Sequence, residues 1–239
     1  MLVLAIDTSG PHMSLSLVDD QVLGALTVRR PEGGGRLLLP AVDQLLQLAG
    51  VESARVRAIA VVTGPGSFTG VRIAVATAKG LAMGWGVPVY GVGALEALAR
   101  SANLPAGLVA PVRDARGGMV YCALYRVQGA ALACRQPPAV RPLGEWLDDL
   151  PLAPILFVGE GAHLVEREMT SLHRQAGWVV LWRHPDPVVV GWIGRCRLLE
   201  GVPGQLLDLS VQYLRRPKAE MRKKDGRHAR GPAGELRAP

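Results

Sequence analysis

The sequence predicts an α/β protein built from two similar lobes. Strand-like apolar runs alternate with helical segments, and the order of the elements starts again near residue 104. Each half also opens on an apolar run that reaches an acid, LVLAID at 2–7 and GLVAPVRDA at 107–115. The repeated order predicts lobes at 1–103 and 104–214, followed by a basic tail at 215–239.

The first half predicts three strands and then alternating helices and strands. In MSLSLV the apolar residues occupy every second position, which is typical of a strand with one buried face. Gly50 follows a helical pattern and predicts its end. The expected strands cover 2–7, 13–18, 22–28, 58–63 and 87–91, and the expected helices cover 37–49, 70–83 and 94–100.

The second half repeats this order with weaker signals. After 107–115 come two strand candidates, VYCALYRV and ALACR, and then a helix that starts near Leu143. A Gly-rich turn, GEGA, precedes the next predicted helix. The remaining elements are strands at 155–158 and 178–181 and helices at 164–175 and 188–199.

Composition and charge bound the classes of function. The chain has 239 residues, of which 49% are apolar, and this excludes disorder for most of its length. The last 25 residues carry nine basic and three acidic side chains, so residues 1–214 are nearly neutral and are not typical of a nucleic-acid binder. Three isolated cysteines, no signal-like N-terminus and no membrane-length apolar run predict a cytoplasmic protein without membrane association.

The loop GPGSFTGVR (64–72) is the most unusual segment. Glycines after a strand and before a helix leave backbone N–H groups able to bind an anion, although a tight structural turn is the alternative. Asp7, at the end of the first strand, could join a phosphate site or only cap a turn. The possible anion or nucleotide contacts are Asp7, Gly64, Gly66, Ser67, Thr69 and Gly70.

No catalytic or metal-ligating residues are predicted. The five histidines lack ligand spacing, and the chain contains no nucleophile elbow. This pattern argues against an enzyme that acts alone.

The two helices at 37–49 and 70–83 are apolar around most of their circumference. A helix that covers one face of a sheet usually keeps a wide polar face, so the excess predicts docking of a second subunit. The alternative is that both helices are sandwiched inside their lobe. The candidate interface residues are Leu38, Val42, Leu45, Leu46, Ala74, Ala78 and Leu81.

Eight segments together form a family signature: AIDTS, LLLP, GPGSFTGVR, KGLA, ALEALA, DARGGMVYCALY, GEGA and YLRRPKAE. In this order they resemble the TsaB (YeaZ) family of tRNA threonylcarbamoyladenosine biosynthesis proteins, over about residues 1–220. Where many relatives have a His-Ser-Glu-like segment, this chain has GGGR (33–36).

The resemblance implies two ribonuclease-H-like lobes of the actin/Hsp70/sugar-kinase type. It also implies a subunit without activity of its own, paired with the paralogue TsaD and joined by the ATPase TsaE, that serves the modification of adenosine 37 in tRNAs reading codons that begin with adenine. ATP or ADP and metal are then expected on the partner subunits, with no cofactor on this chain. Self-association into a homodimer is also implied.

Two rival functions remain open at this stage. Asp7 and the 64–72 loop would suit a stand-alone actin-like ATP-dependent phosphotransferase. A peptidase is the weaker rival, because the sequence offers no nucleophile or metal constellation, and the HxxxH motif of the catalytic paralogue is absent.

The tail has two interpretations. Its composition predicts a disordered, solubilising extension. Alternatively, its basic side chains contact tRNA phosphates in a salt-sensitive way. The candidates are Arg222, Lys223, Lys224, Arg227 and Arg230.

Overall fold

The computed structural model describes residues 1–29, 34–181 and 183–214, and it contains two five-stranded sheets. The predicted tail at 215–239 lies outside the described residues, and so does Gly33, the first residue of the GGGR segment. Among the described helices, none is both long enough and apolar enough to cross a membrane.

The N-lobe sheet joins an antiparallel meander to two parallel strands. Its order is β3-β2-β1-β4-β5, with β1 antiparallel to β2 and parallel to β4. Leu4 faces Leu17 on one side and Ile59 on the other, so apolar side chains align across the centre of the sheet. The strands are β1 (Leu2–Asp7), β2 (His12–Val18), β3 (Val22–Arg29), β4 (Val56–Gly64) and β5 (Val89–Gly93).

The C-lobe sheet repeats this arrangement. Its order is β10-β9-β6-β7-β8, in which β6 pairs antiparallel with β7 and parallel with β9. Two sheets of this order are the two ribonuclease-H-like lobes of the actin/Hsp70/sugar-kinase fold, so the predicted fold class is confirmed. The strands are β6 (Ala106–Arg116), β7 (Met119–Gln128), β8 (Ala131–Pro142), β9 (Ile155–Val158) and β10 (Trp178–Leu181).

Helices cover both faces of the N-lobe sheet. The first two helices share one apolar core with β1, β2 and β4, and the third and seventh share another on the opposite face. The fourth and fifth helices contribute buried side chains to the C-lobe core. The helices are α1 (Leu38–Leu48), α2 (Phe68–Trp85), α3 (Ala94–Ser101), α4 (Leu143–Asp148), α5 (Ala162–Glu168), α6 (Ser171–Gln175) and α7 (Pro187–Leu199).

The predicted boundary of the second lobe is wrong at its C-terminal end. In α7, Val190 and Ile193 pack in the N-lobe core beside Val3 and Ala60. The segment 202–214 follows and also lies on the N-lobe. The chain therefore returns to its first lobe after β10, a long-range contact that the local pattern does not reveal.

Segment 202–214 covers the edge strand β5 and the end of β4. The Gln205 N–H donates to Val89 O (2.9 Å), and the Gln212 N–H donates to Thr63 O (2.8 Å). Leu209 is buried in the N-lobe core. The edge of the sheet is thus closed by the chain's own C-terminal segment.

The predicted helix at 164–175 is two helices, α5 and α6, separated by Met169 and Thr170. The Thr170 hydroxyl accepts the His173 N–H (3.4 Å), so it caps a new helix. The strand predicted at ALACR extends to Pro142, because it continues along β7 beyond an irregular step in register.

The predicted interface residues face inward, so that prediction is wrong for six of the seven. Their side chains are at most 7% exposed and belong to the N-lobe core, where α1 and α2 pack on the sheet. Leu81 is half-buried against the same core. The six are Leu38, Val42, Leu45, Leu46, Ala74 and Ala78.

Candidate functional site

A cleft of about 750 Å³ lies between the lobes, where the loops after β1, β4, β6 and β9 meet. Residues 211–214 of the C-terminal segment form another wall. In this fold the carboxyl ends of parallel strands converge here, so this is the place where a ligand site is expected. The geometry of the cleft therefore bears directly on function.

A buried arginine occupies the bottom of the cleft. Arg113, on β6, is 2% exposed, and its Nε donates to Glu160 Oε1 (2.5 Å). Its Nη1 donates to Ser9 Oγ and to Pro65 O, both at 2.8 Å. Its Nη2 donates to Ser9 O (3.0 Å). All three guanidinium nitrogens therefore have partners, as a buried cation requires.

Two glycines provide the space for this guanidinium. A Cβ at Gly66 would lie 3.0 Å from Arg113 Nη1 and 2.3 Å from Ser9 O, and one at Gly10 would lie 3.0 Å from Arg113 Nη2. Side chains at these positions would displace either the arginine or the backbone. Gly66 of the GPG loop therefore leaves space for the Arg113 guanidinium.

The residues predicted to contact an anion are used largely within the protein. The Asp7 carboxylate accepts the Ser9 N–H (2.7 Å), and the Ser67 hydroxyl caps α2 by accepting the Gly70 N–H (3.2 Å). Thr69 is exposed at the first turn of α2. The structure thus brings these groups to one side of the cleft and gives most of them a structural role.

Two further predicted anion contacts, Gly64 and Gly70, are buried glycines at the two ends of the strand-to-helix turn. Gly64 is buried with a φ of +109°, and Gln212 O would lie 3.0 Å from a Cβ there. Gly70 is buried, and its carbonyl accepts the Thr8 hydroxyl (2.6 Å). These contacts fix the strand-to-helix turn.

Burial raises the pKa of Asp7 above its ordinary value, and the nearby Arg113 cation offsets part of this rise. A carboxyl group in this state is a weaker ligand for a cation than an exposed carboxylate. Asp114, its counterpart in the second lobe, is exposed and accepts the Arg116 N–H (2.6 Å). Within the part of the chain that the structure describes, no three His, Cys, Asp or Glu residues are grouped to hold a metal ion.

The outward face of α2 forms a second candidate site, and its residues differ from those that the sequence analysis named on this helix. Ala76 and Gly80 are exposed one turn apart, and a Cβ at Gly80 would meet nothing within 4 Å. Met83 is 71% exposed on the following turn. On α1, Leu39 and Leu48 are 52% and 77% exposed, but their separation of nine residues places them on opposite sides of that helix. We call Ala76, Gly80 and Met83 the docking face.

An aromatic cluster closes the N-terminal end of α2. The Arg72 guanidinium carbon lies 3.7 Å from the centroid of the Phe68 ring, and Arg72 Nε donates to the Tyr213 hydroxyl (2.6 Å). The two rings are 5.3 Å apart. The C-terminal segment is therefore attached to the same helix that carries the docking face.

Comparisons with known proteins agree with this architecture. A family model described as "TsaD: tRNA N6-adenosine threonylcarbamoyltransferase" matches residues 35–163. A tRNA threonylcarbamoyladenosine biosynthesis protein TsaB from Bacillus subtilis (strain 168) is 32% identical over 225 residues, which cover 92% of this chain and 96% of that protein. The TsaB of Escherichia coli (strain K12) is 38% identical over 128 residues, 53% of this chain and 55% of that protein.

Solved structures give the same result. YeaZ from Pseudomonas aeruginosa has a TM-score of 0.76 and 29% identity, covering 89% of this chain and 99% of its own. A second Pseudomonas aeruginosa structure, titled as similar to peptidase YEAZ, has a TM-score of 0.78 and 30% identity over 90% of this chain and 99% of that chain. Because sequence and fold match over nearly the whole length, the chain belongs to the TsaB (YeaZ) family.

Proposed function

We propose that this chain is a docking subunit in the biosynthesis of threonylcarbamoyladenosine in tRNA. Its relatives carry that process in their names, and the matching family model is that of the transferase TsaD. The single observation that carries the docking role is the exposed face of α2 formed by Ala76, Gly80 and Met83. An apolar face interrupted by small residues allows a second helix to approach closely.

A TsaD-like paralogue is the partner that this face fits best. Proteins that share a fold can pair through equivalent helices, and a tRNA N6-adenosine threonylcarbamoyltransferase of Nitratidesulfovibrio vulgaris (strain DP4) is 32% identical over 165 residues. The chain spans 44% of that relative. In this proposal the partner provides metal and transfer chemistry, a TsaE-like ATPase provides ATP turnover, and tRNA binds through the complex.

The cleft supports a role without catalysis by this chain. Asp7 is buried and accepts the Ser9 N–H, and Ser67 of the 64–72 loop accepts the Gly70 N–H, while Arg113 donates to carbonyl groups of both cleft loops. The rival phosphotransferase needs Asp7 and the 64–72 loop to face a nucleotide. These contacts favour the docking subunit over that rival.

Ala76→Glu and Gly80→Glu test the docking face. Each adds a charged side chain at an exposed position, so we expect the fold to remain and the affinity for the TsaD-like protein to fall at least tenfold. The measurement is the Kd by isothermal titration calorimetry with the paralogue from the same organism.

Ala133→Glu is the matched control, because Ala133 is also exposed but lies on β8 of the C-lobe. It should bind the paralogue like the wild type. Unchanged affinity in both α2 variants would overturn the assignment of the face. If the α2 variants lose self-association but bind the paralogue like the wild type, the partner at this face is a second copy of the chain.

A further inference from the structure

Arg113 joins the two lobes through one buried side chain. It belongs to the C-lobe, where the Glu160 carboxylate orients it through the Nε contact. Its remaining donors all reach N-lobe acceptors, in Ser9 and Pro65. The arginine is thus fixed in one lobe and donates its terminal hydrogen bonds to the other.

The N-lobe acceptors of Arg113 are connected to the start of α2. Pro65 is two residues before the helix cap, Ser67, whose own N–H donates to Ser9 O (2.6 Å). Thr8, the residue before Ser9 in the first loop, donates its hydroxyl to Gly70 O (2.6 Å), inside the first turn of the helix. The guanidinium, both loops and the start of α2 therefore form one continuous hydrogen-bonded unit.

We propose that Arg113 is a positioning residue that fixes the direction of α2 relative to the C-lobe, and so presents the docking face. In this role a charge of the chain itself links the two lobes at the bottom of the cleft. The inference rests on the proposed function only for its partner-binding measurement.

The site is shaped for a guanidinium in particular. The nitrogens Nε, Nη1 and Nη2 donate to four acceptor atoms in three residues, a geometry that the single ammonium of lysine does not reproduce. Gly10 and Gly66 leave space for the planar fork, as their Cβ distances show. Arg113→Lys should therefore behave more like Arg113→Ala than like the wild type.

The test compares Arg113→Ala and Arg113→Lys with the wild type in binding of the TsaD-like paralogue. We expect the Kd to rise about tenfold in both variants, within the usual range for coupling between sites. Amide hydrogen exchange of residues 66–70 should become faster. Methylguanidinium should restore both properties to Arg113→Ala, whereas methylammonium should not, because only the former carries the planar set of donors.

Leu147→Ala is the matched control for lost stability, since Leu147 is buried in the C-lobe core on α4 and does not line the cleft. It should reduce stability without changing the Kd. If Arg113→Ala does not fold, Glu160→Gln replaces it, with an expected smaller rise in Kd and faster exchange at 66–70.

Wild-type affinity in the variants, unchanged exchange at 66–70, or an equal loss of affinity in Leu147→Ala would each overturn the inference. Absence of wild-type binding to the paralogue would instead refute the proposed function. In that case the exchange measurement and the methylguanidinium rescue still decide whether Arg113 positions α2.

Discussion

Leu209 provides a sharp test of the finding that the C-terminal segment belongs to the N-lobe. Its side chain is 6% exposed and packs in the N-lobe core. Leu207, two residues earlier on the same segment, is 90% exposed. The same substitution, leucine to alanine, at both positions compares a buried and an exposed side chain within one turn.

The expected magnitude follows from the atoms removed. Leu209→Ala deletes three carbon atoms, worth about 2.4 kcal/mol at ~0.8 kcal/mol per buried carbon group, and leaves a cavity. The total loss in free energy of unfolding should be about 3 kcal/mol. For a chain of this size, the corresponding fall in Tm is about 6–12 °C. Leu207→Ala should change the stability by less than about 0.5 kcal/mol.

Differential scanning calorimetry of the two variants measures this difference. Each kcal/mol corresponds to about 2–4 °C in Tm for a chain of this size, so the Tm of Leu207→Ala should lie within about 2 °C of the wild-type Tm. Equal Tm values for Leu209→Ala and Leu207→Ala would refute the reasoning, because the segment would then contribute no buried contact to the lobe.

Three further substitutions test other parts of the structure. Burial raises the folded-state pKa of Asp7, so ionisation of this carboxyl group disfavours the fold. Asp7→Asn should therefore gain stability relative to the wild type as the pH rises above the ordinary range of a carboxyl group. Urea unfolding at pH 5 and pH 8 measures this difference. Burial, His184 and Arg29 lower the pKa of His12, so the wild type should lose stability as the pH falls below about 6.5. His12→Asn should remove that part of the loss in the same unfolding series. Ala74→Glu should reduce stability by several kcal/mol, about 3 or more, since it buries an unpaired carboxylate; circular dichroism melting would show this, and a wild-type melt would contradict it.

The strands were the most predictable part of the fold. MSLSLV places Met13, Leu15 and Leu17 on one face, and all three are buried in the core that holds α1 and α2. The apolar runs of β1 and β4 are buried on both faces, as central strands of such a sheet are. Period and length were sufficient for these elements because neighbouring residues alone determine them.

The direction of α2 was not predictable from composition. Ala74 is fully buried, whereas Ala76 is exposed, although the two side chains are identical. When a helix is apolar around most of its surface, hydrophobicity does not identify the side that meets the sheet. The alternative that α1 and α2 are packed inside their lobe accounts for the inward-facing residues.

The cleft was located by the sequence, but its central residue was overlooked. The loop at 64–72 and Asp7 do meet there. Arg113 stands inside the apolar run GLVAPVRDA, and a lone arginine in a buried strand was a signal that it has charged or carbonyl partners. Those partners, Ser9 and Glu160, are distant in sequence, so only the fold reveals them.

Reconstitution of tRNA modification tests the central claim most directly. The TsaD-like paralogue, a TsaE-like ATPase, threonylcarbamoyl donor and tRNA are combined with and without this chain, and the modification of adenosine 37 is measured by mass spectrometry. We expect product only when the chain is present, in an amount that Asp7→Asn leaves unchanged and Ala76→Glu reduces. Full modification without the chain would contradict the docking role, and so would loss of the modification in Asp7→Asn alone.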